Sequence, residues 1–172
     1  MGPVSAEIEI DVPRERAFAL LADLAERPSF TDHFLSAYRL TRLDSAGVGA
    51  GARFRARSPL GSVWMDTAIV ELQEPYRIVE EGRGGRANRN RYHTVWELTE
   101  GPGPLTRVRV VHWSDPAGPI ARAVELLGAV SAWRGRQWRE ALRRLRARLE
   151  DGRESAPRVA VAGGNRYLTG VP

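Results

Sequence analysis

The sequence predicts an α+β domain in which one curved antiparallel sheet of seven strands wraps around a long C-terminal helix. Three observations predict it. Residues 4–11 and then 35–113 alternate apolar and polar side chains with period two, broken by connections rich in Gly and Pro. Two short segments with helical spacing lie between those stretches. After residue 118 the period becomes helical and holds to about Glu150. A single curved sheet exposes a wide apolar face, and one long helix laid across it can cover that face.

The first strand, VSAEIEID at 4–11, puts Val4, Ala6, Ile8 and Ile10 on one side. Pro13 suits the first turn of a helix, and PRERAFALLADL carries helical apolar spacing at Ala17, Phe18, Leu21 and Leu24. A second short helix or turn is expected around AERPSFTDHF, near Pro28. Strands follow at about 35–44, 52–58, 62–73, 76–82, 91–99 and 105–113. The connections SAGVGAG, PLG, EP, GRGGRANRN and EGPGP suit an antiparallel meander. A helix over 119–150 would run about 45 Å. Residues 1–150 thus read as one domain. The tail 151–172, rich in Gly, Pro and polar residues, is expected to be partly disordered or docked on the long helix.

At 172 residues the chain can bury one real core. The net charge is +5, but the 26 basic residues, all Arg, are interleaved with 21 acidic ones and form no basic arm. Nucleic acid is therefore not an expected partner. No run approaches the roughly 18 apolar residues of a membrane span, so stable membrane insertion is not expected. The N-terminus leads directly into a strand pattern, without the features of a signal peptide, and Ala6 breaks the myristoylation pattern. The absence of Cys removes disulfides and thiolate chemistry. His33, His93 and His112 are scattered, so no metal and no cofactor is expected. A cytoplasmic, bacterial setting is the expectation.

The chain resembles the START-like (SRPBCC) helix-grip superfamily, in particular its polyketide cyclase/dehydrase and lipid transport branch. The resemblance is carried by IEIDVPRERAFALLADLAERPSF, by LDSAGVGAGARFRAR and by the helix ending in WREALRRLRARLE, and it covers about 4–150. Many members have Trp where Phe30 stands here. The resemblance implies a seven-stranded sheet gripping the long helix, with a cavity between them for an apolar ligand. It leaves the reaction open, because carriers, ligand-dependent regulators and cyclases share the fold.

On a helical wheel, Ile120, Val124, Leu127, Trp138, Leu142, Leu145 and Leu149 fall within about 40° of one line. Ser131 and Gly135 interrupt this bulky stripe, at about 20° and 60°. Either the sheet approaches closely there or a large side chain fills the gap, or the gap is one wall of a cavity. The resemblance favours the cavity. Arg134, at the stripe edge, is within reach of a ligand carboxylate or of the surface.

Strand parity turns Tyr92, Thr94, Trp96 and Leu98 inward, as it does Val108, Val110 and His112, and Phe54 and Ala56. Arg53, Arg55, Arg57, Arg91, His93, Glu97, Arg107 and Arg109 then face out. In 62–73 both faces are apolar. We take Trp64, Asp66, Ala68, Val70 and Leu72 as inward, with Val63, Met65, Thr67 and Ile69 as the alternative if a bulge intervenes. The candidate ligand-binding set is therefore Phe54, Trp64, Asp66, Tyr92, Thr94, Trp96, Val110, His112, Leu127, Ser131, Arg134, Gly135 and Trp138. His112 with Asp66 or Tyr92 is the candidate catalytic pair.

These residues suggest a carrier or sensor of a small apolar or aromatic ligand. A cofactor-independent aromatase/cyclase or dehydratase is the alternative, and an interaction module with a filled cavity is a third reading. Arg83, Arg86, Arg89 and Arg91 would favour anionic ligands if the loop 83–91 borders the cavity mouth. On the same wheel Leu126, Val130 and Trp133 lie away from the stripe, as an apolar flank for the tail or for a second copy in a homodimer.

Overall fold

A computed structural model describes residues 3–85, 88–101, 103, 105–115, 118, 129–151 and 159–161. Strand β1 (Val4–Ile10) is followed by α1 (Arg14–Ala22) and α2 (Pro28–Thr31). Six strands come next: β2 (Leu35–Leu40), β3 (Gly51–Ser58), β4 (Gly61–Gln73), β5 (Arg77–Gly84), β6 (Asn90–Glu100) and β7 (Thr106–Asp115). The long helix α3 (Ala129–Glu150) and a two-residue strand β8 (Ala160–Val161) complete the described chain. Seven strands form one antiparallel sheet in the spatial order β1-β7-β6-β5-β4-β3-β2, and β8 adds to the β2 edge in parallel. Consecutive strands from β2 to β7 pair antiparallel, and β1 closes the far edge by pairing with β7.

The start of α1 follows from Pro13, whose carbonyl accepts the amides of Arg16 and Ala17. Phe18 and Leu21 of α1, with Leu24 beyond it, are buried against the sheet. α3 packs on β1, α2 and β3. Its C-terminal half packs into the core, where Leu142, Leu145 and Leu149 are almost wholly buried. Polar ties hold α3 to the residues on either side of α2. Arg144 reaches Asp32 (2.6 Å), Arg148 reaches Glu26 (3.1 Å), and the His33 ring nitrogen meets the Gln137 carbonyl at 3.2 Å. The Asp11 amide also donates to Glu150 (3.0 Å), fastening the end of β1 to the end of α3.

Two irregularities decide which side chains face the helix. The register of β4 against β5 shifts between Ile69 and Glu71, so Val70 is an extra residue and turns outward, 42% exposed. Before the bulge Met65 and Ile69 face inward; after it Leu72 packs against the core. The inward set of β4 is thus Val63, Met65, Thr67 and Ile69, correcting the expected face. Trp64 is outside, 43% exposed, with the Arg53 guanidinium 5.4 Å from its ring centroid. In β2 the register against β3 shifts between Ser36 and Arg39, and Ala37 takes a positive φ of 51°.

The small residue in α3 lies beside β1. A Cβ on Gly135 would meet Val4 Cγ1 at 3.4 Å, so this stretch of helix lies against β1. The expectation that Gly135 opens onto a cavity is corrected accordingly. The expected apolar outer flank is also corrected: Val130 is buried and Trp133 packs against the core. Leu126 and Leu127 lie outside the described residues. In the tail, Ala160 and Val161 pair in parallel with Arg39 and Leu40 of β2, and Val159 packs on the core. This part of the tail therefore extends the sheet edge.

Candidate functional site

The packing between sheet and helix is divided. Beyond that half, the N-terminal turns of α3 and the sheet border a cavity of about 100 Å³. Val130, Trp133, Arg134 and Trp138 face it from α3. Phe54 and Ala56 of β3, Val63, Met65 and Thr67 of β4, and Glu80 and Gly82 of β5 form one side. Tyr92 and Thr94 of β6 with His112 of β7 form the other, and Arg27, Phe34, Leu35 and Tyr38 close the end.

Aromatic rings make most of these walls. Tyr38 stacks on Phe54 with centroids 5.4 Å apart and planes 4° from parallel. Tyr92 lies nearly parallel to His112 at 6.3 Å, and Trp138 meets His112 at 5.6 Å and Phe34 at 5.3 Å. At Gly82 a Cβ would collide with the Asp66 carbonyl, so glycine allows β5 its close approach to β4.

His112 is 7% exposed, and its Nδ1 is 2.9 Å from Thr94 Oγ1. Burial pushes its pKa down to about 3, with Arg134 and then His93 adding repulsion. The ring is therefore neutral near pH 7, with Nδ1 engaged by Thr94 and Nε2 as its second polar atom. Arg134 Nη1 is 3.4 Å from Ser114 Oγ.

A buried ionic group stands at the closed end. Arg27 and Glu80 form an ion pair, and Arg27 also donates to the Leu21 carbonyl at 3.1 Å. Glu80 Oε1 accepts the Trp96 indole N–H at 2.8 Å, and Oε2 accepts Thr67 Oγ1 at 3.4 Å. The guanidinium lies 4.7 Å from the Trp96 ring centroid, so that ring covers the pair. Burial pushes the Tyr38 phenol well above its ordinary range, which keeps it a proton donor.

Of the residues singled out from the sequence, Phe54, Tyr92, Thr94, His112, Arg134 and Trp138 stand on the cavity wall. Asp66 borders it, but its carboxylate is engaged elsewhere, accepting Asn88 Nδ2 at 3.0 Å and lying 3.6 Å from Arg53 Nε. The expected pairing of His112 with Asp66 is therefore corrected, because β4 turns Asp66 to the side of Arg53. Trp96 and Val110 are fully buried in the packed core rather than on the wall. Ser131, Gly135 and Trp64 are not among the described lining residues either. Neither Arg83, Arg89 nor Arg91 lines the cavity; Arg27, Arg57 and Arg134 do, and Arg86 lies outside the described residues.

Arg27, Tyr38, Glu80, Val130 and Trp133 were not in the expected set. Glu80 carried a signal, since the parity that buries Ile78 also turns Glu80 inward. Among the described residues no group of three or more potential ligands could hold a metal, and no helix is long and apolar enough to cross a membrane.

The family model described as polyketide cyclase/dehydrase and lipid transport matches residues 1–150. Among solved structures, a protein from Thermus thermophilus superposes with TM-score 0.68 at 19% identity, covering 88% of this chain and 99% of that one. A START superfamily protein from Mycobacterium smegmatis gives TM-score 0.59 at 15% identity, covering 88% and 99%. DynU16, from the dynemicin biosynthetic locus, gives 0.60 at 17% identity, covering 88% of this chain and 48% of that one. At these identities the likeness concerns the fold. A comparison with curated proteins gives no match.

Proposed function

The chain belongs to the polyketide cyclase/dehydrase and lipid transport family of START-like proteins, and we propose that it binds a small, largely apolar or aromatic ligand between sheet and helix. The observation that carries this reading is the open, ring-lined cavity beside an otherwise packed core. Apolar walls with a few placed polar groups suit a ligand of that kind. Flat rings at Tyr38–Phe54 and Tyr92–His112 favour a flat aromatic body. The neutral His112 supports the same use, because it brings no charge into the pocket.

Saturable uptake of fluorene, a tricyclic hydrocarbon, by the full chain tests the reading. Ala56→Phe is expected to fill the cavity and abolish uptake while the fold survives. Undiminished uptake by the folded variant, or no uptake by the wild type, overturns it.

A catalytic reading is favoured by one feature: a neutral imidazole on the cavity wall can hydrogen-bond a reacting carbonyl through Nε2, while its lowered pKa makes it a poor general base. In that case His112 positions the substrate, Thr94 orients the ring, and Tyr92 is its neighbour on the wall. Loss of conversion with retained binding in His112→Gln would identify that role; turnover unchanged by the substitution would remove it.

A further inference from the structure

The turn joining β3 to β4 presents apolar side chains to solvent. Leu60 at its tip is 66% exposed, Trp64 43% and Val63 38%. A lone exposed apolar residue is ordinary, but these three lie within five residues and make a patch. The turn is held in shape. Ser58 pairs with Gly61, the Leu60 amide donates to Ser58 Oγ at 3.3 Å, and that hydroxyl donates to the Gly61 carbonyl at 3.0 Å. Leu60 is therefore displayed with little further ordering to be lost on contact. Positive charge borders the patch. Arg53, Arg55 and Arg57 alternate along β3 and lie exposed, opposite Asp66, Trp64 and Ser62 of β4. The row of Arg53 and Asp66 runs on through Arg83 and Arg91 and ends at Asp115. Asp66 is the one acidic residue from 53 to 66, and it lies 3.6 Å from Arg53. Among the described residues, Arg55 and Arg57 have no ion-pair partner.

From this apolar tip flanked by arginines we propose that the β3–β4 hairpin docks onto an anionic lipid bilayer, with Leu60 and Trp64 entering the interface and Arg55 and Arg57 meeting acidic headgroups. An indole suits that boundary, because its body is apolar and its N–H stays wet. Each arginine near such a surface adds electrostatic attraction. The contact is peripheral, since no helix among the described residues is long and apolar enough to cross a membrane. A second copy of the chain fits this face worse, because a two-fold axis through it would bring the same arginines together. Single-stranded nucleic acid also fits worse. Trp64 is the one exposed aromatic ring of the hairpin, and Leu60 and Val63 offer bases nothing to stack on. Arg57, Ser58 and Val63 also line the cavity, so docking here sets its mouth against the bilayer. The inference does not depend on what the cavity holds.

Co-sedimentation of the full chain with vesicles tests this, using phosphatidylcholine alone or equal parts phosphatidylcholine and phosphatidylglycerol. The wild type is expected to bind the mixed vesicles at least about tenfold tighter than the neutral ones. Arg55→Gln with Arg57→Gln should weaken that binding about twentyfold, and Leu60→Ser with Trp64→Ser about tenfold. Leu43→Ser is the control. It removes a leucine 87% exposed at the other end of β3 and should bind as the wild type does. Brominated lipid in the mixed vesicles should quench the tryptophan emission of the wild type more than that of Trp64→Phe. Without vesicles, Trp64→Ser should leave fluorene uptake unchanged, which separates docking from the cavity. Failure of the wild type to bind the mixed vesicles overturns the proposal, and binding to an oligothymidylate in their place would assign the face to nucleic acid. Undiminished binding in either double variant overturns it too, as does a loss in Leu43→Ser equal to that in Leu60→Ser. If a double variant does not fold, Leu60→Ser at the exposed turn decides: retained binding overturns the proposal, and weakened binding supports it.

Discussion

The Arg27 guanidinium and the Glu80 carboxylate face each other inside the protein, with side chains only 4% and 7% exposed. They come from positions 53 residues apart, the start of α2 and the middle of β5. Desolvating two charges costs several kcal/mol, which their attraction and added hydrogen bonds must offset. The Leu21 carbonyl, the Trp96 indole and Thr67 complete that set.

Removing one partner should therefore do more harm than removing both. Arg27→Met alone leaves Glu80 charged and buried, and is expected to lower stability by about 3–5 kcal/mol in guanidinium unfolding. Arg27→Met combined with Glu80→Gln should recover a large part of that loss. A single variant as stable as the wild type would show that the pair is not desolvated.

Gly135 separates stability from binding. Ala at this position adds a Cβ in ordinary contact with Val4 and removes the helix penalty of Gly, about 1 kcal/mol. Gly135→Ala is thus expected to leave stability unchanged or raise it. Gly135→Leu forces extra carbons between α3 and β1 and should cost about 1–3 kcal/mol. Thermal melts and fluorene titrations check both, and ligand affinity should stay at the wild-type value in the Ala variant.

Much of the architecture is legible from period alone, and the exceptions have local causes. β6 and β7 pair without a bulge, so parity placed Tyr92, Thr94 and His112 correctly. β4 has two apolar faces, and a bulge at Val70 decides between them through pairing with β5, which no local pattern reveals. The helix stripe named the packed half of α3, Leu142 to Leu149, but Gly135 alone does not say whether it faces a cavity or a strand. Only the position of β1 chooses. Arg27 and Glu80 show the same limit, because nothing near either residue announces the other.

The burial of His112 makes acid sensitivity predictable. Its folded pKa of about 3 lies below the ordinary 6.5, so between those values the unfolded chain binds a proton that the folded chain refuses. Its contribution is thus complete above pH 6.5 and is lost as pH falls toward 3, at up to about 1.4 kcal/mol per pH unit. His33, lowered mainly by burial, acts in the same direction. Urea unfolding at a series of pH values should show a shallower acid decline in His112→Gln than in the wild type. Parallel curves would mean that His112 is hydrated in the folded state.

Two tryptophans on opposite sides of the sheet test which face carries function. Trp64 stands on the outer face, so Trp64→Ser should leave fluorene affinity unchanged and alter stability by no more than about 1 kcal/mol, the worth of an exposed contact with Arg53. Trp133 stands on the cavity wall and packs against the core. Removing its ring takes apolar surface from any bound ligand, at about 25 cal/mol per Å². For about 40–80 Å² of lost contact this amounts to about 1–2 kcal/mol, or roughly five- to thirtyfold in affinity. Titration of both variants with fluorene gives the comparison, and sedimentation gives their mass. If Trp133→Ser binds normally but changes the mass, the ring belongs to a subunit contact and the α3 wall of the cavity is wrongly assigned. If it binds weakly at unchanged mass while Trp64→Ser is silent, the inner face is the functional one.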